Sequence, residues 1–407
     1  MSEDSSMENA PDAPDAGHSG APAADTADTA DGREGSGPAV PGAGRASFVR
    51  RLLRSRTARA VTAAGLVGAL IGAGAVAWRT DTLPLLGPAP CWDSLGDSTV
   101  SELLGDRRVE VEEQSLQSDP QGGLSYGQCR ITGYENDRAR RQVTVGVRLL
   151  DGLRGADGTQ WPREFLTASM VSLGDGLPGM VSGSRGWLAL PQSCTGRGEF
   201  TGPTVVEIGM GRADLEISSE YERKDRAALT GALVEAANGV IRSFGCSGSY
   251  PEPRTLPPVV GWKDTDTAAL CGIKGLALPA AYRKDLSHTR VGGDGGPARV
   301  CEAGGDYREP LLRMTTVVDP ALTEIYSWDA LRSGATVKGT GGYGKLAGNR
   351  AVYRTLCQTG PVMFVVEQLR QTRNAGFTLT ADLLPAYVAA ETERIGCGPL
   401  KVTLPRT

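Results

Sequence analysis

Two stretches of the chain repeat the same order of hydrophobic and polar patterns. Each begins with a cysteine and a short helical pattern, continues through strands in which apolar and polar residues alternate, and ends in a helix that closes on Gly-Cys. Period-two alternation predicts sheets with one buried face. In the first stretch the alternation is clearest at Val143, Val145, Val147 and Leu149, and again at Leu215 and Ile217.

The helical patterns stand at the two ends of each stretch. The opening patterns are WDSLGDSTVSELLG after Cys91 and GIKGLALPAAY after Cys271, and the closing ones are DRAALTGALVEAANGVIRSFGC and ADLLPAYVAAETERIGC. Helices flanking antiparallel strands predict an α+β fold with the helices packed on one face of each sheet. We therefore predict two tandem duplicated domains, residues 91–250 and 263–407, joined by a proline-rich linker at 251–262.

The closing helix of the first stretch shows the helical spacing best. Its apolar residues recur at intervals of three and four and fall on one face of a helix. They are Leu229, Leu233, Val240, Ile241 and Phe244.

Cysteines support the repeat, because each stretch holds four of the eight in the chain. An even number without a C-x-x-C motif indicates structural disulfides formed in an oxidising compartment, not a zinc site or a redox dithiol. Four cysteines allow three connectivities, so the pairing stays open at this point. Self-contained repeats favour Cys91–Cys129, Cys194–Cys246, Cys271–Cys301 and Cys357–Cys397.

Residues 60–78 form an uncharged apolar run, AVTAAGLVGALIGAGAVAW. At about 1.5 Å per residue this run nearly matches the ~30 Å hydrocarbon core of a bilayer, which predicts one transmembrane helix. Six arginines without an acidic residue among them precede it, and the positive-inside rule then places the N-terminus in the cytoplasm and everything after residue 78 outside the cell. These arginines are Arg45, Arg50, Arg51, Arg54, Arg56 and Arg59.

The apolar run has two alternative interpretations. A cleaved signal peptide also has a basic stretch before an apolar core, but this run is long and no convincing cleavage site follows it. A lipid anchor is disfavoured because Cys91 follows Gly-Pro-Ala-Pro. Within the span, Gly68 and Gly72 form a G-x-x-x-G pair that permits a homodimer, although we prefer the explanation that glycine and alanine are simply abundant here.

The N-terminal segments differ sharply in charge. Residues 1–44 are acidic and almost free of large apolar side chains, which predicts a disordered cytoplasmic tail that could recruit a cytoplasmic protein. Residues 45–59 are basic and are expected to lie against the lipid headgroups. Residues 79–90 connect the span to the outer region.

The order Pro-Cys, a helix ending Leu-Leu-Gly, Cys-x-Ile, an alternating strand, then Cys and a valine-rich strand resembles small disulfide-paired extracytoplasmic domains of actinobacterial lipoproteins and sensor proteins. The resemblance covers most of residues 91–246 and, more loosely, 271–397. It implies an α+β fold of the PsbP type, and many such domains have no assigned activity. No catalytic residue carries over, and a spanning helix replaces the lipidated cysteine.

Residues 339–346, GTGGYGKL, satisfy G-x-G-x-x-G but place Leu346 where a P-loop needs Ser or Thr. A glycine-rich hairpin or a mobile loop is the preferred interpretation. The sequence has no G-x-S-x-G nucleophile elbow, so His288 is not expected to act as the base of a serine hydrolase and is expected in a surface loop. Asp264 and Asp266 precede a helical pattern, where aspartate normally caps backbone N–H groups.

Three arginines, Arg138, Arg140 and Arg141, precede a predicted strand. Nucleic-acid binding would need aromatic partners and a strongly basic domain, whereas the net charge is −4, so we interpret the cluster as a charged guard on a strand edge. No cofactor and no metal is predicted.

The sequence thus favours a non-enzymatic, membrane-anchored module that binds or senses an extracytoplasmic ligand or protein. The alternative is an adaptor that gathers cytoplasmic partners through its tail.

Overall fold

The computed structural model describes residues 88–118, 120, 123–151, 155–195, 202–211, 219–305, 309–332, 334–372 and 376–405. The predicted tail, basic segment and span therefore lie outside the described residues, as do Leu215 and Ile217. Among the helices that are described, none is long and apolar enough to cross a membrane. Residues Leu85–Thr407 form one compact unit.

The predicted α+β architecture with two antiparallel sheets is confirmed. The first sheet has seven strands: β1 (Arg108–Ser118), β2 (Leu124–Glu135), β3 (Arg138–Leu149), β4 (Val171–Ser172), β5 (Gly179–Val181), β6 (Arg185–Ala189) and β7 (Thr204–Gly211). The second has nine: β8 (Lys263–Asp264), β9 (His288–Gly292), β10 (Ala298–Gly304), β11 (Pro310–Val317), β12 (Ala335–Gly339), β13 (Gly342–Ala347), β14 (Arg350–Cys357), β15 (Gly360–Gln368) and β16 (Val402–Thr403).

Both sheets follow the same path. The first has the strand order β1-β2-β3-β7-β6-β5-β4, and the second contains β9-β10-β11-β15-β14-β13-β12, with β8 and β16 added at its two edges. Among the described residues, the longer helices are α1 (Asp97–Leu104), α2 (Gly155–Phe165), α3 (Ser219–Phe244), α4 (Ser327–Arg332) and α5 (Leu379–Arg394), and two further helices, Pro90–Asp93 and Gln192–Thr195, are four residues long. When strands are counted from β1 in the first half and from β9 in the second, one helix follows the third strand of each half and another closes the half.

The disulfides also match between the halves, and the favoured pairing is the one observed. In each half the first bridge joins the opening cysteine to a strand, β2 in the first half and β10 in the second. The other bridge starts just after the closing helix. It reaches Cys194, before β7, in the first half and Cys357, at the end of β14, in the second. The pairs are Cys91–Cys129, Cys194–Cys246, Cys271–Cys301 and Cys357–Cys397. Cys91 and Cys271 both adopt a left-handed backbone conformation, with φ of 59° and 61°.

Helices cover both faces of the sheets, which corrects the expectation of one helical face. In the first half, α1 and α3 pack on a core that includes Val206 and Ile208, whereas α2 packs on the opposite face with Val205. The reason is that β7 is apolar on both faces, as in strands buried from both sides. The helix predicted after Cys271 is reduced to the 3₁₀ turns Leu270–Gly272 and Ala280–Tyr282.

Of the three hydrophobic cores formed by the described residues, one belongs to both halves. It joins α2, Trp187 and Val205 of the first half to Val300, Val352 and Val365 of the second. The halves are therefore packed together through the sheet faces that do not carry α3 or α5. The linker residues Leu256 and Val259 lie against the core of the first half.

Candidate functional site

A row of five charged residues, here called the charged ladder, crosses the second sheet on the face turned toward the shared core. Its members stand directly opposite one another on neighbouring strands: Arg290 opposite Glu302, Glu302 opposite Arg313, Arg313 opposite Glu367, and Glu367 opposite Arg350. The signs alternate, so each carboxylate has a guanidinium group on both sides. Opposite charges at such positions attract each other.

The three central members of the ladder, Glu302, Arg313 and Glu367, are buried, and their charges are paired. Nη2 of Arg290 lies 2.6 Å from Oε2 of Glu302, and Nη2 of Arg313 lies 2.8 Å from Oε1 of the same carboxylate, which is 1% exposed. From the first half, Nη2 of Arg163 reaches Oε1 of Glu367 at 2.7 Å. Buried charges are costly to desolvate and depend on such partners. The ladder therefore holds α2 of the first half against the second sheet.

The first sheet has a matching row, because its strands are paired in the same order and register. Arg130 follows the disulfide cysteine of β2 as Glu302 follows the disulfide cysteine of β10. The pairing along the row is Glu112 opposite Arg130, Arg130 opposite Thr144, Thr144 opposite Gly209, and Gly209 opposite Arg185.

Two positions of this row carry small residues where the second half carries charged ones. Thr144 stands at the position of Arg313, and Gly209 stands at the position of Glu367. A cavity of about 200 Å³ occupies the space beside them, under α2. A Cβ atom placed on Gly209 would meet no atom within 4 Å. We call this cavity the first-half pocket; its lining residues are Thr144, Gly146, Arg148, Gln160, Trp161, Glu164, Phe165, Arg185, Glu207 and Gly209.

Two acid–base pairs flank the first-half pocket. Nη1 of Arg185 lies 2.6 Å from Oε2 of Glu164, and Nε of Arg148 lies 3.4 Å from Oε1 of Glu207. The indole Nε1 of Trp161 donates a hydrogen bond to Oε2 of Glu207 at 2.9 Å, which fixes that carboxylate. The two arginine side chains are 43% and 41% exposed, so solvent and solutes reach them. The pocket thus presents positive and negative groups around an uncharged floor.

A second buried charge cluster lies under α5. Glu391 is fully buried and accepts two hydrogen bonds of 2.8 Å from Arg394 and one of 2.8 Å from the hydroxyl of Thr316. Burial, followed by the charge of Glu391, raises the pKa of Tyr387, whose hydroxyl lies 2.6 Å from Thr316. Glu391 lies six residues before Cys397, and the residue six before Cys246 in the first half is the buried Val240. The first half therefore has an apolar residue where the second half has this buried carboxylate.

A mostly apolar groove of about 560 Å³ lies where the halves meet, and the phenol of Tyr250 forms part of its wall. The Tyr250 hydroxyl donates to the carbonyl of Ala189 at 2.7 Å. Five prolines contribute to the lining: Pro178, Pro191, Pro203, Pro320 and Pro361.

Burial raises the pKa of Tyr250 to about 12 from its ordinary value of 10.0. Because the folded-state value is higher than the unfolded one, its stabilising contribution is complete below about pH 10 and is lost as the pH rises toward about 12. We expect the free energy of unfolding to fall over this interval, and to fall less steeply in Tyr250→Phe. Urea unfolding between pH 9 and 12 measures both slopes, and equal slopes would contradict this role of Tyr250.

The glycine-rich segment forms the hairpin of β12 and β13, as preferred. Gly339 stands opposite Gly342 at the turn, and Gly341 has a φ of +70°. Cβ atoms on Gly339 and Gly342 would lie 2.2 and 2.6 Å from the hydroxyl oxygen of Tyr353, so both glycines make room for that ring. The segment is explained by packing.

Of the other candidate residues, Asp266 behaves as predicted, since its Oδ1 accepts the N–H groups of Ala268 and Ala269 at 2.9 and 3.2 Å. Asp264 instead lies in β8, with its Oδ1 3.4 Å from Nε2 of His288. His288 itself lies in β9 and is partly buried, so the expected surface loop is wrong. The sheet register brings this histidine to Asp264.

The arginine cluster lies at the start of β3. Arg138, Arg140 and Arg141 precede Gln142–Leu149, the residues that pair with β7, so β2 is the one described ladder partner here and this part of β3 agrees with the predicted charged strand edge. Nη2 of Arg141 lies 3.5 Å from Oδ1 of Asp225, and Nε of Arg140 lies 3.4 Å from Oε2 of Glu135. The long outer edge belongs to β1.

The predicted residues of the span and its flank, Gly68, Gly72, Arg50, Arg51, Arg54, Arg56 and Arg59, lie outside the described residues. Within the described part of the chain, no group of three or more His, Cys, Asp or Glu side chains is arranged to hold a metal ion.

Sequence reasoning missed both rows, because their members are far apart along the chain and meet only through strand register. One signal was present. Glu302, Arg313 and Glu367 each interrupt an apolar strand, which is unusual for a charged residue unless it is paired.

Comparison with known proteins gives no family. No protein-family model matches the chain, and no curated protein matches it. Among solved structures, the chain has a weak similarity to DynU16, a protein of the dynemicin biosynthetic locus, with 10% identity, coverage of 76% of this chain and 94% of that one, and a TM-score of 0.13. A similarity at this level carries no argument about fold or function.

Proposed function

We propose that the protein is a membrane-anchored, extracytoplasmic binding module that takes a small polar ligand in the first-half pocket without converting it. In this proposal the two halves arose by duplication. The second half keeps its row filled by the charged ladder and serves as a scaffold, while the first half has opened the same row into a site.

The proposal rests on two positions at which the first sheet has small residues and the second sheet has charged ones. Thr144 and Gly209 leave space where Arg313 and Glu367 fill it, and the strand register on both sides of the exchange is otherwise the same. Small residues beside a set of convergent polar groups are a normal way to build a ligand site. The two carboxylates of the pocket are held in place by arginine and indole partners, and groups with fixed positions favour the specific binding of a ligand.

The chemistry of the lining favours a ligand that carries both an anionic and a cationic group. Arg148 and Arg185 would receive a carboxylate, and Glu164 and Glu207 would receive an ammonium group, each by charge-assisted hydrogen bonds. A cavity of about 200 Å³ accommodates a molecule of amino-acid size. We therefore propose a free amino acid or a compound of similar size and charge.

Filling the pocket tests this function. In Gly209→Gln the new side chain enters open space at a strand position, so we expect stability to be kept or slightly raised, since glycine weakens a strand. Binding of amino acids to the full-length protein, measured by calorimetry after a thermal-shift survey of the twenty common ones, should weaken at least tenfold.

Gly261→Gln is the matched control. A Cβ at Gly261 also meets nothing within 4 Å, but this residue lies in the linker and not in the pocket. We expect the control to bind as the wild type does. Equal binding by wild type and Gly209→Gln, or no amino acid bound by the wild type, would exclude the proposed ligand site.

The membrane anchor and the outward orientation rest on the apolar run at 60–78, the arginines before it and the four disulfides after it. Protease treatment of intact spheroplasts tests them. A tag at the C-terminus should be digested and a tag at the N-terminus should be protected; the reverse pattern would contradict the orientation.

A further inference from the structure

The outer edge of β1 is long and open. All but one of its eleven residues are exposed, and among the described strands β2 is its single ladder partner. Trp92 covers one end, where its indole Nε1 donates to the carbonyl of Gln114 at 2.8 Å. Residues 108–113 therefore present backbone N–H and C=O groups that another strand could pair with.

In the second half, the edge that corresponds to that of β1 is paired with a further strand. Its strand β9 corresponds to β1, and the outer edge of β9 is paired antiparallel with β8, at Lys263 opposite Thr289 and Asp264 opposite His288. At the opposite edge of the same sheet, β12 is paired antiparallel with β16. In the first half the short β4 edge lies near the second half, where a Cβ on Gly296 would meet the Cβ of Ser172 at 2.7 Å. Among the described sheet edges, the edge of β1 therefore stands out because it is long and no other strand pairs with it.

The side chains of β1 define what would fit. Val109 and Val111 project on the side of α1 and are 38% and 39% exposed, which is high for valine in a sheet. On the other side Glu110 and Glu112 alternate with them, and Glu112 is 67% exposed although it contacts Arg130 at 3.1 Å. A strand laid along this edge would place one set of side chains over the valines and the other beside the carboxylates.

We propose that the outer edge of β1 binds an extended, antiparallel segment of a partner protein in which apolar residues alternate with lysine or arginine. Main-chain pairing supplies the affinity, and the alternating side chains supply the register, as in recognition by strand addition. A second copy of this chain fits less well, because it would bring the same acidic residues to the edge. This surface is separate from the first-half pocket and does not depend on the ligand proposed for it.

The test uses synthetic peptides and the full-length protein. The probe is a labelled ten-residue peptide of alternating valine and lysine, with two further versions that are N-methylated on all valines or on all lysines. Alternate N–H groups of a strand face opposite edges, so each methylated version loses one edge only. Fluorescence anisotropy should show one methylated peptide binding within about threefold of the parent and the other at least tenfold more weakly.

Charge reversal supplies the protein side of the test. Glu110→Lys/Glu112→Lys should weaken binding of the parent peptide at least tenfold, whereas Glu252→Lys/Glu393→Lys, which reverses two exposed carboxylates elsewhere, should change it less than twofold. Equal binding of both methylated peptides, or no loss in the β1 variant, would overturn the proposal. A wild-type dimer in sedimentation that the β1 variant abolishes would assign the edge to a second copy, and would also overturn it.

Discussion

Replacing Glu302 with alanine is expected to lower the free energy of unfolding by about 3–5 kcal/mol, because it removes one partner of a buried ion-pair network. Glu302 stands between Arg290 and Arg313 and is their nearest carboxylate, at 2.6 and 2.8 Å. Without it, Arg313 keeps its charge in a buried position with its neighbour on one side removed. Urea unfolding of the full-length protein in detergent, with the disulfides intact, measures the change.

Glu112→Ala is the matched control for Glu302→Ala. Glu112 also forms a cross-strand pair with an arginine, Arg130, in the corresponding row of the first sheet, but these side chains are 67% and 42% exposed. Exposed pairs contribute about 0–1 kcal/mol, so the control should change stability by no more than that. If Glu302→Ala costs as little as the control, the ladder does not stabilise the second sheet as a buried ion-pair network.

Replacing Glu391 with alanine is expected to cost about 3 kcal/mol by the same reasoning, since a buried charged acceptor is removed from its donors. Arg394 and the hydroxyl of Thr316 would lose hydrogen bonds of 2.8 Å each. Arg394 is 37% exposed and can turn toward solvent, which keeps the loss below the upper end of the range for buried pairs.

The neighbouring Glu393→Ala serves as the control for Glu391→Ala, because Glu393 lies on the exposed side of the same helix. Its removal should change the free energy of unfolding by less than about 0.5 kcal/mol. Similar small effects of both substitutions would contradict the structural role given to Glu391. A loss confined to Glu391 would show that the second half depends on a polar cluster where the first half uses Val240.

The repeat and its disulfides could be predicted because they depend on the order of short sequence patterns along the chain. Cysteines, helical patterns and valine-rich strands recur in the same sequence in both halves, and a strand order common to both sheets follows. The opening helix of the second half was overestimated, since Gly275 with a φ of +87° and Pro279 interrupt GIKGLALPAAY. The amino-acid composition of this segment is compatible with a helix, but the backbone forms only two short 3₁₀ turns.

The packing of the halves against each other was not predictable from periodicity. Helix α2 holds a proline at position 162 and few apolar residues, so its pattern is weak, yet Trp161 and Phe165 stack at 5.3 Å in the shared core. Strand β1 shows the opposite case. Its Val109 and Val111 alternate with glutamate as a half-buried strand would, but the structure leaves them exposed at an edge.

The candidate site could not be read from the sequence, for a related reason. Thr144 and Gly209 are ordinary strand residues until strand pairing shows that Arg313 and Glu367 occupy the matching positions of the other half. The comparison needs the register of four strands in each sheet. What the sequence did contain was the set of charged residues that interrupt apolar strands.

The central claim, that the first-half pocket binds a small charged ligand, is tested most directly at Trp161, whose indole N–H contacts Glu207 at the pocket wall. Fluorine NMR of the full-length protein labelled with 5-fluorotryptophan, with Trp161→Phe to assign the signal, reports on this wall. We expect a mixture of amino acids to shift the Trp161 signal in the wild type and not in Gly209→Gln. The signal of Trp262, a linker residue whose ring lies under the guanidinium group of Arg290, should stay unchanged. An unshifted Trp161 signal, or a shift of Trp262 alone, would contradict the claim.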